Sequence, residues 1–137
     1  MTTTAEHKPS VRRQPPPWLW GLYAVDSLLL IASGAIHLHL WDIAYRHVAT
    51  LDVLFPVQTA ASVLLAFGLL ALRRQILVAA GLLLMAGTIA GFILARTVGI
   101  FGFKLTFFSG EAIAVLIIEA VAIVALAVTG WAMRRLA

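Results

Sequence analysis

Four stretches of this chain stay apolar for about 20 residues or more: 18–40, 51–72, 76–95 and 111–133. At ~1.5 Å per residue, each is long enough to cross a hydrocarbon core of ~30 Å as an α-helix. Lipid offers no water to satisfy a stray backbone N–H or C=O, so only helices and closed barrels span it. Barrel strands are shorter and alternate apolar with polar residues, which these runs do not. The links between the runs, 41–50, 73–75 and 96–110, are short. Short links make consecutive helices antiparallel neighbours. The sequence therefore predicts an all-α integral membrane protein, an up-down four-transmembrane-helix bundle.

Composition points the same way. Hydrophobic residues make up 62% of the 137 residues and charged residues 12%, against roughly 45–50% and 25% in soluble domains. One domain, 18–137, is all the length allows. A soluble enzyme and a nucleic-acid module are excluded, the latter despite a net charge of +4. The chain has no cysteine, so disulfides, thiolate metal sites and thiol redox relays are excluded too.

The segment 1–17 is polar, carries Lys8, Arg12 and Arg13, and ends in Pro15-Pro16-Pro17. It reads as a disordered tail with a short extended polyproline stretch. Lys8, Arg12, Arg13, Arg73, Arg74, Arg134 and Arg135 fall on one side of the membrane, and Arg46, Arg96 and Lys104 on the other. That asymmetry predicts a multi-pass plasma-membrane protein with both termini cytoplasmic. Trp18, Trp20 and Trp131 then belong to the inner interfacial belt and Trp41 to the outer one. Arg12-Arg13 and Ala32-Ser33-Gly34 invite a secretion-signal reading. Asp26 inside the apolar run, and the three prolines before it, argue that the first span is retained.

Polar residues inside the spans are the candidates for function. Asp26, Ser33 and His37 are spaced by seven and four residues and share one helix face to within roughly 20°. In lipid such a stripe must turn inward. Glu119 lies about eight residues into the last span, ~12–15 Å deep. No helix-end effect stabilises an acid there, so it needs a partner, and Arg96 is the natural one. Gln58 lies about as deep, and His37 lies near the outer end of its span. His37, Gln58, Arg96 and Glu119 are thus predicted to line a polar ligand site in the outer half. Asp26 and Glu119 are candidate proton sites, with interhelical glue as the plainer role. Glu111 reads as an ordinary acid at a helix N-terminus.

His37, His39 and His47, with Asp42, form a weaker metal or haem set of the kind that suits zinc, copper, nickel or iron. His37 and His39 lie on opposite faces of a helix, so one metal would need the helix to end near Leu38. Otherwise they are interfacial histidines. The segment Gly87-Thr88-Ile89-Ala90-Gly91, continued by Ala95, is a small-residue stripe predicted to let helices approach closely, inside the bundle rather than in a homodimer. The loop 96–110 holds Gly99, Gly102, Phe101, Phe103 and Phe107. It reads as a lid over the polar cluster or as an interfacial re-entrant turn.

The combination Gly34-Ala35-Ile36-His37-Leu38-His39-Leu40-Trp41, Tyr45-Arg46, Leu54-Phe55, Gln58, Arg96-Thr97 and Phe101-Gly102-Phe103 resembles a family of uncharacterised small four-span membrane proteins of actinobacteria, over about residues 18–133. The resemblance implies topology and nothing catalytic. Small multidrug exporters also have four spans and an acid in the first, here Asp26, but the motif around it is missing. Quinone-reducing thiol enzymes share the four-helix plan, and a chain without cysteine cannot share their mechanism.

The expectation is a four-helix membrane protein with a polar site in its outer half, holding a metal, a haem or a small ligand. One alternative is a structural or assembly subunit of a larger membrane complex. Another is a proton-coupled carrier working as a homo-oligomer. The lipid bilayer is the certain partner, a membrane protein a possible one, and nucleic acid is not expected. No nucleophile–base set points to an enzyme.

Overall fold

The computed structural model describes residues 14–107 and 109–137. Most of the predicted tail lies outside the described residues. Four long helices follow in chain order: α1 (Pro17–Leu40), α2 (Leu51–Leu72), α3 (Gln75–Thr97) and α4 (Gly110–Leu136). All four are long and apolar enough to cross a membrane. The chain is a four-span helical bundle.

Local chemistry sets the helix ends. Pro17 opens α1, where its fixed φ is already helical and its missing N–H has no intrahelical partner to lose. At the other end the chain runs on past the predicted boundary. Trp41–Tyr45 form one π-helical turn, closed by the Arg46 N–H donating to the Trp41 carbonyl at 2.9 Å. Nothing in 41–45 is a glycine or proline that would stop a helix. At the other end of α2, Arg73 takes a left-handed conformation, φ 49°. Its guanidinium lies 4.3 Å over the Trp20 ring, a cation–π contact that offsets part of the backbone strain. The Ser109 side chain caps α4 by accepting the Ala112 N–H at 3.1 Å.

Pro56 sits inside α2. It has no N–H, so the Asp52 carbonyl loses its intrahelical donor. The Trp41 indole Nε1 donates to that carbonyl instead, at 2.8 Å. A defect in α2 thus becomes a tie to the end of α1.

Helix α1 packs against α2 and α4, α3 packs against α4, and the α2–α3 seam is the thinnest of the four. The close approaches occur at other glycines than expected. A Cβ added at Gly34 would lie 3.1 Å from the Ser62 Cβ, and one at Gly81 3.1 Å from the Leu126 Cδ1. At Gly87 and Gly91, nothing among the described residues lies within 4 Å of an added Cβ. The predicted packing role of that stripe is corrected on this point. The cause is a divergence of α2 from α3. Leu77, Leu84 and Gly91 follow one another at seven-residue spacing on one face of α3. Near the two-residue corner, Leu77 lies 3.3 Å from where a Cβ on Gly68 of α2 would be. By Gly91 an added Cβ on that face has no neighbour within 4 Å among the described residues.

Polarity runs inside out. Asp26, Ser27, Ser33, Gln58, Ser62, Glu119 and Thr129 are buried, while Leu28, Leu64, Phe67, Ile117 and Val124 are exposed. In water this arrangement would be unfavourable, and in lipid it is the favourable one. A layer of Leu30, Leu69, Met85 and Leu126 fills the middle of the bundle.

Candidate functional site

The site begins on α1 with Ser33 and His37, one turn apart on the same face. His37 Nδ1 lies 2.9 Å from the Ser33 carbonyl oxygen. A carbonyl only accepts, so Nδ1 carries the hydrogen and donates it. That leaves Nε2 facing Oε1 of Glu119 on α4, at 3.8 Å. The Ser33 hydroxyl donates to the same Oε1 at 3.2 Å. Thr88 of α3, whose hydroxyl donates to the Met85 carbonyl at 2.8 Å, lines the same cavity as Glu119. Glu119 is 1% exposed and His37 7%. With Nδ1 protonated, one further proton on either Nε2 or the carboxyl makes the pair neutral overall, whichever group holds it. Such pairing is what lets an apolar bundle hold an acid.

Gln58 of α2 is buried beside them, and its Nε2 has no hydrogen-bond partner among the described residues. His37, Gln58, Thr88 and Glu119 line one end of a cavity of about 510 Å³. The rest of its wall is mostly aliphatic and aromatic. A ladder of edge-to-face rings climbs from the polar end: His37 to Phe55 at 5.3 Å, Phe55 to Tyr45 at 4.8 Å, and Tyr45 to Phe103 at 5.7 Å.

The segment 98–107 of the α3–α4 link covers one end of the cavity. Gly99 turns it back at φ 90°. Ile100 and Phe103 exchange backbone bonds at 2.7 and 2.8 Å, and the Leu105 N–H donates to the Ala95 carbonyl at 2.8 Å. Ile100, Phe103 and Leu105 face the cavity.

Three of the four predicted ligand residues, His37, Gln58 and Glu119, come together. Arg96 does not join them. Its Nη1 donates to the Leu105 and Thr106 carbonyls at 3.0 and 3.3 Å. A long basic side chain at the outer end of a helix reaches toward the polar surface rather than inward, and His37 takes the expected place beside Glu119. Asp26 is a separate feature, on the far side of Leu30 from His37 along α1. Its Oδ2 accepts from the Thr129 hydroxyl at 2.6 Å, and its Oδ1 has no partner among the described residues. The polar stripe of α1 is therefore divided between two clusters.

The histidine set is not assembled. His39 and His47 are exposed, and Asp42 pairs with Arg46. Among the described residues no group of three or more His, Cys, Asp or Glu side chains is placed to hold a metal. The physical reason is that α1 stays helical beyond Leu38, which keeps His37 and His39 on opposite sides. Glu111 lies exposed at the outer rim, in the first turn of α4. Ser33, already part of the polar stripe of α1, donates to Glu119, and Thr88 lines the site without having been singled out for it. Thr88 had a signal, a hydroxyl in the middle of an otherwise apolar run.

No protein-family model matches this chain, and comparison with curated proteins and with solved structures gives no significant match.

Proposed function

We propose that this plasma-membrane protein, with both termini cytoplasmic, binds a small and largely apolar molecule by one polar head group in its outer half. The observation that carries this reading is the cavity of about 510 Å³ that ends on the His37–Glu119 pair and the unpartnered Gln58 Nε2. Small-molecule sites have this make-up: a volume of roughly 300–1,000 Å³, apolar walls and a few placed polar groups. Gln58 supplies a donor. The pair supplies a donor and an acceptor through its shared proton. A metal or haem is less well supported, because His37 Nε2 already faces a carboxyl. The basic asymmetry supports the orientation. Kinship with small four-span proteins of actinobacteria would add topology only.

The test is to purify the chain from native membranes in lipid nanodiscs, extract it with organic solvent, and identify what is retained by mass spectrometry. A visible spectrum and metal analysis accompany it. Wild type is expected to retain a near-stoichiometric small molecule that Glu119→Gln and His37→Phe lose. Identical retained profiles in all three proteins would sink the reading. A Soret band or stoichiometric metal would return the haem or metal alternative to first place.

A further inference from the structure

The depth at which the cavity opens decides what can reach it. Its aqueous end lies under the segment 98–107. Its open edge lies elsewhere. Leu83 lines the cavity and is 74% exposed, and Gly87 lines it with nothing among the described residues within 4 Å of where a Cβ would be. They lie fourteen and ten residues before the outer end of α3 at Thr97, or ~21 and ~15 Å along the helix. That is the depth of acyl chains rather than head groups in a core of ~30 Å. Leu54 of α2, 39% exposed, also lines the cavity. The thin α2–α3 seam is therefore a slot that opens into hydrocarbon.

We propose that the cavity is loaded sideways from the bilayer through this slot, and that its ligand is an uncharged long-chain alcohol. The proposal rests on the ligand-site reading and names its substrate class. The hydroxyl would sit at the polar end, accepting from Gln58 Nε2 and exchanging hydrogen bonds with the His37–Glu119 pair. The tail would run out past Gly91 and Gly87, where the missing side chains leave width for a methylene chain. Charge argues for a neutral head. His37 and Glu119 already balance each other. An anionic head would face Glu119, and a cationic head would compete with His37 for it. Arg96 is engaged with the carbonyls of Leu105 and Thr106 in the covering loop.

The test uses the full chain in phosphatidylcholine vesicles doped with a hexadecanol carrying a diazirine in its tail. Light-induced adducts are mapped by mass spectrometry. Adducts are expected at Leu54, Leu83 and Gly87, and loss of them in Gly87→Phe and Gly91→Phe, two independent plugs whose folding is checked by thermal melting. The chain has no cysteine of its own, so Tyr45→Cys with Phe103→Cys allows the loop to be bridged shut by a short bis-thiol reagent. Labelling should survive that bridge. Labelling that survives both plugs but is lost on bridging would overturn the lateral route. Stronger labelling by the matching carboxylate or trimethylammonium compound would overturn the neutral head while leaving the site intact. Failure of all three compounds to label the cavity would remove the ligand-site reading itself.

Discussion

The His37–Glu119 contact can be weighed by a double-mutant cycle. Glu119→Gln removes the carboxylate but keeps an oxygen to accept from Ser33. His37→Phe removes both ring nitrogens but keeps the edge contact with Phe55. Two full charges at 3.8 Å attract by about 4 kcal/mol at an effective dielectric of about 20. A neutral imidazole and a neutral carboxylic acid give at most the roughly 0.5–1.5 kcal/mol of one hydrogen bond, since 3.8 Å exceeds hydrogen-bond length. The two states therefore differ by several-fold in the coupling energy, which is the part of the double variant's destabilisation that the single variants do not add up to. Reversible unfolding in bicelles measures all four proteins. A coupling near 4 kcal/mol assigns an ion pair, and one near 1 kcal/mol assigns the neutral form. A coupling within about 0.5 kcal/mol of zero, the usual scatter of independent sites, would refute the pair and with it the site's polar end.

Three further outcomes follow from the geometry. Gly34→Ala should destabilise by roughly 1–3 kcal/mol, because the new methyl meets Ser62 Cβ and the Thr59 backbone, whereas Gly87→Ala should be neutral or stabilising by up to about 1 kcal/mol; bicelle unfolding that moves both in the same direction would contradict the packing described. Thr129→Val leaves Asp26 with neither oxygen hydrogen-bonded and should cost about 1–3 kcal/mol in the same assay; an unchanged midpoint would show that the 2.6 Å contact carries no stability. For topology, His47→Cys should react with an impermeant thiol reagent added outside intact cells and Arg74→Cys should not; the opposite pattern inverts the orientation.

The fold was legible because length and polarity act over whole segments. A run of twenty apolar residues has few alternatives in a chain this short, and the two-residue corner at Arg73-Arg74 leaves only an antiparallel turn. The extension of α1 through Tyr45 was not legible, since its π-turn rests on backbone bonds and on an indole reaching across to Asp52. At the site, His37, Gln58 and Glu119 were legible for one reason: a polar side chain at that depth must face inward. Arg96 obeys no such rule, because its length lets it choose between the interior and the surface. Gly87 and Gly91 show the limit most clearly. A missing side chain either lets a neighbour come close or leaves room, and spacing along one helix does not say which. Only the position of α2, fixed by the corner and by Gly34 against Ser62, decides between them.

The corner between α2 and α3 also makes a lever. Arg73, set in its left-handed conformation and held over Trp20, joins the two helices at one end only. Each helix is about 33 Å long at ~1.5 Å per residue over its 22 or 23 residues. A rotation of about 5° at such a pivot displaces the far ends by about 3 Å, close to the thickness of a hydrocarbon chain. Small torsions at an arginine on one face of the membrane thus set the width of the seam near the other. A gap of this kind is adjusted by the pressure of the surrounding lipid as much as by the protein, so thicker or more tightly packed bilayers should narrow it.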